Sequence, residues 1–304
     1  MLNTTTRITP TAQLAAASRC LRLPDGRQLG YVDYGDPAGH PVMLCHGLPG
    51  TRLQGHPDRS VVASLGIRMI GIDRPGYGLS DYQQGRTLLD WPDDIQAIAD
   101  SLALERFAVL GISGGGPYAA ACAWKIPERM TTVVLVSAMG PADDPEAIQN
   151  MPLLNRFLLA SAKYGEWPLR LPAAALVAIA QSWPDQYLSF MNSHLPAPDQ
   201  AIYYRAEMRA FVKEDVAEAF RQGTRGAVRD IILLARQWGF RLQDISVPVQ
   251  LWHGEQDTTV PVQIGHTLAA ALPHCQSHFV ANAGHFLIIQ CWRDILTHLL
   301  SRTN

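Results

Sequence analysis

The 304-residue sequence predicts an α/β protein with a mostly parallel sheet. Between residues 41 and 137, short apolar segments alternate with segments of helical periodicity. The apolar segments lack the polar–apolar alternation of a half-exposed sheet, so we expect helices to cover both of their faces. The same alternation returns after residue 244, behind an interruption of about a hundred residues. The chain is therefore expected to form one sheet with a large insertion.

The first elements along the chain are expected to be an antiparallel hairpin, because Cys20–Arg22 and Gln28–Tyr34 flank a Pro-Asp-Gly turn. Residues 1–18, rich in Thr and Ala, show no clear period and are expected to form a poorly ordered arm. Buried strands and helices then alternate, with strands at Pro41–Cys45, Arg68–Ile72, Phe107–Leu110 and Thr132–Ser137, and helices at His56–Leu65, Thr87–Leu104 and Pro117–Lys125.

Residues 140–244 show helical segments punctuated by prolines and no strand pattern. We therefore expect a core formed by residues 19–139 and 245–304, with residues 140–244 inserted as a helical cap. After the cap, the pattern predicts strands at Val247–Trp252 and Ser277–Ala281 and helices at Pro261–Leu272 and Phe286–Leu300.

Composition argues against several kinds of partner. The formal charge of −2 and the absence of basic runs do not favour nucleic acid. Five scattered cysteines without a C-x-x-C pair suggest neither a disulfide framework nor a metal site. We find no signal-peptide pattern and no apolar run of about 20 residues, so we expect no membrane insertion and a cytoplasmic location.

Ser113 stands where the apolar segment Phe107–Leu110 gives way to glycines and then to a helical pattern. Gly111, Ser113 and Gly115 match G-x-S-x-G, a motif in which serine occupies a strained strand-to-helix turn. Neighbours without a Cβ atom suit such a turn because strand and helix backbones approach closely. Ser113 is the candidate nucleophile, and an ordinary glycine-rich turn is the alternative.

A serine hydroxyl needs a general base, and the base needs a partner that fixes its tautomer. His285 follows the last predicted strand, and Asp257 follows the strand after the insertion. Loops after parallel strands share one sheet edge, so these side chains are expected to meet Ser113 there. Asp143 and Asp144, at the entrance to the insertion, are the alternative acids.

An acyl-transfer site also needs donors for the developing oxyanion. The residue after the nucleophile supplies one N–H, here that of Gly114. The turn His46-Gly47-Leu48-Pro49-Gly50 follows an earlier strand, and we expect the Leu48 N–H to be the second donor. The alternative is that this turn is an ordinary Gly-Pro turn with only a structural role. We interpret the His46 side chain as structural rather than catalytic.

Together, these motifs resemble the serine α/β-hydrolase superfamily over the whole chain outside the insertion. The resemblance implies an α/β-hydrolase fold with eight strands, a helical cap inserted after the sixth strand, and a Ser113–Asp257–His285 triad. It also implies hydrolysis of a carboxylic ester or related acyl bond without a cofactor or metal. A cofactor-free haloperoxidase, a carbon–carbon hydrolase and a non-catalytic small-molecule binder stay open as alternatives.

The composition of the predicted cap indicates which substrates the site accepts. Met151–Met191 is mostly apolar, whereas Phe211–Phe240 is amphipathic, and 12 acidic and 11 basic residues nearly cancel between residues 140 and 244. We expect the apolar half to face Ser113 and the substrate to be a neutral, largely apolar ester. Homo-oligomers are possible.

Overall fold

The structure is a computed structural model, and it describes residues 11–54, 58–142, 148–193 and 195–301. Its strands are β1 (Ser18–Arg22), β2 (Gln28–Gly35), β3 (His40–Cys45), β4 (Ile67–Ile72), β5 (Phe107–Ile112), β6 (Met130–Val136), β7 (Val249–Gly254) and β8 (Cys275–Val280). They form one sheet in the order β1-β2-β4-β3-β5-β6-β7-β8. The pairs β1–β2 and β2–β4 are antiparallel, and the other pairs are parallel. The predicted eight-stranded, mostly parallel sheet is confirmed.

The helices are α1 (Thr11–Ala16), α2 (Arg59–Ser64), α3 (Trp91–Ser101), α4 (Gly116–Lys125), α5 (Leu153–Ala162), α6 (Trp167–Ser182), α7 (Pro184–Met191), α8 (Ala197–Tyr203), α9 (Ala206–Ala219), α10 (Arg225–Leu234), α11 (Val262–Ala271), α12 (Leu287–Gln290) and α13 (Trp292–Ser301). Side chains of α3, α4 and α11 pack in one core cluster, and those of α1, α2, α12 and α13 pack in another. The central strands β3, β5, β6 and β7 are buried along nearly their whole length. Their continuous apolar sequences follow from helices covering both faces of the sheet.

Two predicted segments differ from the structure, and a third is described only in part. The N-terminal arm contains α1, whose Leu14 is fully buried, while residues 1–10 lie outside the described residues. The helix predicted at Phe286–Leu300 is divided into α12 and α13. The helix predicted from His56 is observed as α2, and residues 55–57 lie outside the described residues. None of these differences alters the strand order.

Helices α5 to α10 lie between β6 and β7, within residues 140–244, which we call the helical insertion. Our expectation that its apolar first half faces Ser113 is only partly correct. Leu153, Trp167 and Leu171 project outward with 75–81% of their surface exposed. Composition shows that a segment is apolar, but it does not show which side of each helix faces the core. Helices from both halves of the insertion contribute side chains to the surface beside Ser113. Among the described residues, no helix has the length and hydropathy to cross a bilayer.

Candidate active site

Ser113 lies at the junction of β5 and α4, in a left-handed backbone conformation with φ of 51°. Such a conformation is strained for a residue with a Cβ atom and often marks a functional turn. Its neighbours explain how the turn fits. A Cβ on Gly111 would lie 2.7 Å from Cβ of Ala119, and one on Gly115 would collide with the carbonyl oxygen of Cys45. The glycines of the motif therefore allow strand and helix to approach closely.

His285 and Asp257 meet through their side chains. Nδ1 of His285 lies 2.8 Å from Oδ2 of Asp257. The other carboxylate oxygen of Asp257 accepts hydrogen bonds from the backbone N–H groups of Thr259 and Val260, both at 2.9 Å. A carboxylate fixed in this way selects the His285 tautomer that carries its proton on Nδ1 and leaves Nε2 as an acceptor.

The environment of His285 changes its proton affinity in two directions. Burial alone would lower its pKa because it disfavours the imidazolium. The charge of Asp257, the hydrogen bond to it and the charge of Asp199 act in the opposite sense, and the pKa of His285 is raised above its ordinary value of 6.5.

The two backbone segments predicted to hold an oxyanion lie side by side. A Cβ on Gly114 would be 2.8 Å from Cβ of Leu48 and 3.4 Å from its backbone nitrogen. A Cβ on Gly47 would be 3.6 Å from Cβ of Ser113. The turn after β3 and the start of α4 thus converge beside the serine.

Asp199, in α8 of the helical insertion, was missed by the sequence analysis. It is fully buried, and its two carboxylate oxygens accept the backbone N–H groups of His285 at 2.7 Å and Phe286 at 2.9 Å. A Cβ on Gly284 would collide with the same carboxylate. Asp199 therefore holds the loop that carries His285, and a lone aspartate beside a proline gives no sequence signal for that role.

Asp215, in α9, makes a second contact between the insertion and a site-forming loop. It accepts hydrogen bonds from Oγ1 of Thr51 at 2.5 Å and Nε2 of Gln54 at 3.0 Å. Oε1 of Gln54 in turn accepts the backbone N–H of Gly47 at 2.6 Å. Burial raises the pKa of Asp215 to about 7, although both hydrogen bonds oppose the change.

Asp230, in α10, makes a third such contact through Arg74. Nε of Arg74 donates to Oδ2 of Asp230 at 2.8 Å, and its Nη2 donates to the carbonyl oxygen of Gly47 at 2.8 Å. Burial alone would raise the pKa of Asp230, but Arg74 and Arg86 hold it below its usual range. His46 is buried beside them and accepts the backbone N–H of Arg74 through Nε2. His46 and Arg74 thus bond to backbone groups and to Asp230, and we interpret both as residues that position the site-forming loops.

Two cavities open onto Ser113. The larger, about 240 Å³, is also lined by His285, by Gln54 and Asp215, and by apolar side chains of the insertion, among them Leu188, Met191, Met208, Phe211, Val212 and Val216. The smaller, about 90 Å³, is lined by Gly114 and an almost entirely apolar set that includes Met139, Met151, Leu158, Leu159, Ile231 and Leu234. Neither wall, as far as the described residues form it, contains a lysine or arginine.

Two further expectations concern acids and metals. Asp143 and Asp144, the alternative acids, lie outside the described residues. Within the part of the chain that the structure describes, His, Cys, Asp and Glu side chains form no cluster suited to a metal ion.

Comparison with known proteins agrees with this architecture. A family model described as alpha/beta hydrolase fold matches residues 40–290. A 2-hydroxy-6-oxononadienedioate/2-hydroxy-6-oxononatrienedioate hydrolase from Cupriavidus pinatubonensis is 28% identical over a 289-residue alignment, and the match covers 90% of each chain. Among solved structures, a hydrolase from Pseudomonas aeruginosa superposes with a TM-score of 0.72 at 17% identity, over 94% of this chain and 99% of its own. A thermophilic esterase from Thermogutta terrifontis superposes with a TM-score of 0.70 at 21% identity, over 94% and 98%.

The chain belongs to the α/β-hydrolase fold family. The protein is a hydrolase in general class. The two structural likenesses bear on the fold alone because their sequence identities are low.

Proposed function

We propose that the protein is a serine hydrolase that cleaves carboxylic esters of neutral, largely apolar small molecules through an acyl-enzyme. One observation carries the proposal: Ser113, in a strained turn, and His285, bonded to Asp257, open into the same predominantly apolar cavity. Nucleophile, base and orienting acid are the groups that acyl transfer to serine requires.

The proposed reaction begins when Nε2 of His285 takes the proton of Ser113 Oγ as that oxygen attacks the ester carbonyl carbon. The backbone N–H groups of Leu48 and Gly114 bind the oxyanion of the tetrahedral intermediate. The imidazolium then gives its proton to the leaving oxygen, the carbon–oxygen bond breaks and the alcohol departs. Water, deprotonated by His285, attacks the acyl group by the same route and releases the carboxylic acid and free Ser113.

The cavity walls support a neutral substrate. A buried carboxylate needs a cation or several hydrogen-bond donors to offset its lost hydration. The described residues of both walls include no lysine or arginine, and Asp215 adds a carboxyl group to the larger cavity. An anionic acyl or alcohol group is therefore expected to bind poorly.

Carbon–carbon bond hydrolysis is a second candidate, favoured by the activity named for the Cupriavidus relative. The same serine, histidine and aspartate would serve it. A dienedioate carries two carboxylates, however, and the described cavity walls offer them no cationic side chain. This mismatch is why we place ester hydrolysis first.

Matched substrates distinguish these candidates. We expect p-nitrophenyl butyrate to be hydrolysed with a kcat/KM at least 100-fold above that of the p-nitrophenyl monoester of succinate, which places a carboxylate at the end of a chain of the same length. A 2-hydroxy-6-oxo-dienoate should be cleaved slowly. Rapid cleavage of the dienoate together with feeble ester turnover would contradict the proposal and favour the second candidate.

A further inference from the structure

The two cavities at Ser113 divide the space around the reacting carbon into unequal parts. They share Leu48, Ser113 and Thr259, so they meet at the nucleophile. The larger cavity has more than twice the volume of the smaller one. A bound ester has an acyl chain and an alcohol on opposite sides of its carbonyl carbon, so each part requires its own space.

The position of His285 distinguishes the roles of these spaces. In acyl transfer the imidazolium protonates the leaving oxygen, so the alcohol must lie on the histidine side of the nucleophile. His285 lines the larger cavity and is not among the residues that line the smaller one. The smaller cavity reaches Gly114, one of the two proposed oxyanion donors, while Leu48, the other, borders both cavities.

We infer that the smaller cavity holds the acyl chain and the larger one the alcohol, so that the preferred substrates are short-chain acyl esters of bulky apolar alcohols. The inference rests on the proposed function. It also explains how water arrives for deacylation, because departure of the alcohol vacates the cavity beside His285 while the acyl chain stays in its own.

Volume sets the acyl limit. The smaller cavity offers about 90 Å³ against about 240 Å³ in the larger one, so it suits a short acyl chain such as butyryl. Longer chains must displace side chains such as Leu158 or Met151. Overpacking of this kind costs about 1–3 kcal/mol, which corresponds to roughly a 5- to 150-fold loss of kcat/KM.

Two aliphatic truncations, one in each cavity, test the assignment. Leu158 lies in the wall of the smaller cavity and Val212 in that of the larger, and both are half-buried, so alanine at either position should leave the fold intact. Thermal unfolding of each variant verifies this. The acyl series is p-nitrophenyl acetate to decanoate, and the alcohol series is a set of acetates from methyl to naphthylmethyl.

For the wild-type protein we expect kcat/KM to peak between acetyl and butyryl and to fall at least tenfold by decanoyl, while rising along the alcohol series. Leu158→Ala should move the acyl optimum to longer chains and leave the alcohol profile unchanged. Val212→Ala should change the alcohol profile and leave the acyl optimum where it is in the wild type.

A wild-type optimum at octanoyl or longer, or a Leu158→Ala change confined to the alcohol series, would overturn the assignment while leaving ester hydrolysis standing. Failure to hydrolyse any member of either series would overturn the proposed function itself. The outcomes are therefore distinguishable.

Discussion

Replacing Asp199 by asparagine tests whether the helical insertion positions His285, the proposed catalytic base. The substitution keeps the size of the side chain and removes its charge. Because the two carboxylate oxygens accept N–H groups of His285 and Phe286, the asparagine amide leaves one of these donors without an acceptor. Leaving one buried donor unpaired costs about 1–3 kcal/mol, and loss of charge assistance at the other adds about 1 kcal/mol.

The same change acts on the pKa of His285. Asp199 is one of two carboxylates that raise this pKa, and removing an opposite charge near a partly buried imidazole lowers the pKa. Protonated His285 cannot accept the Ser113 proton, so activity is lost as the pH falls through that pKa. We expect the acidic limb of the wild-type kcat/KM profile to have its midpoint above 6.5, and the Asp199→Asn midpoint to lie below that of the wild type.

The assay is the pH dependence of kcat/KM for a neutral p-nitrophenyl ester, combined with urea unfolding. We expect Asp199→Asn to lose about 2–4 kcal/mol of unfolding free energy and to shift its acidic limb downward. Asp185→Asn, an exposed aspartate of the same insertion, is the matched control and should change neither quantity. A destabilised variant with an unshifted limb would show that Asp199 is structural only, and an unchanged variant would refute the reasoning altogether.

Three other predictions follow from the site. Asp257→Asn should lower kcat about 10³- to 10⁴-fold, whereas Asp143→Asn and Asp144→Asn should lower it less than threefold; the reverse order in steady-state kinetics would place the acid after β6. Gly114→Ala should reduce kcat about 100-fold with little change in KM, because the new Cβ displaces the neighbouring oxyanion loop; full activity would remove that loop from the mechanism. Asp215 has a native pKa of about 7 against 3.8 in the unfolded chain, so it contributes stability that is complete below pH 3.8 and lost as the pH rises through 7. Between pH 4 and 8, the unfolding free energy of the wild type should therefore fall by up to about 4 kcal/mol relative to that of Asp215→Asn. Parallel pH profiles of unfolding free energy, measured with urea, would contradict this.

The sequence predicted the sheet well because buried parallel strands carry a local signal. Each apolar segment is continuous and bounded by polar or glycine-rich loops, so alternation alone predicted the strands and a mostly parallel sheet. The order of the strands across the sheet was not predicted and is seen only in the structure. Strand ends were displaced by one or two residues, as at Met130, where hydrogen bonding to a neighbouring strand fixes the boundary.

The residues predicted for the site lie in loops that directly follow predicted strands. In these loops a recognisable sequence motif stands at the sheet edge where ligands are expected to bind. Asp199 and Asp215 could not be found in this way. Each lies in a helix of the insertion, and its importance arises only from the loop it meets across the fold, at His285 or at Gln54. Helical periodicity likewise did not reveal that Trp167 faces outward, because the insertion's helices pack on one another as well as on the core.

The central claim is covalent catalysis at Ser113, and mass spectrometry of the trapped enzyme tests it most directly. The protein is reacted with a neutral fluorophosphonate ester, digested, and the modified peptide is sequenced, with Ser113→Ala as the matched control. The account predicts one stoichiometric adduct on Ser113, loss of ester hydrolysis in step with labelling, and neither adduct nor appreciable turnover in Ser113→Ala. An adduct on another residue, or a Ser113→Ala variant that retains more than a few per cent of wild-type turnover, would contradict it.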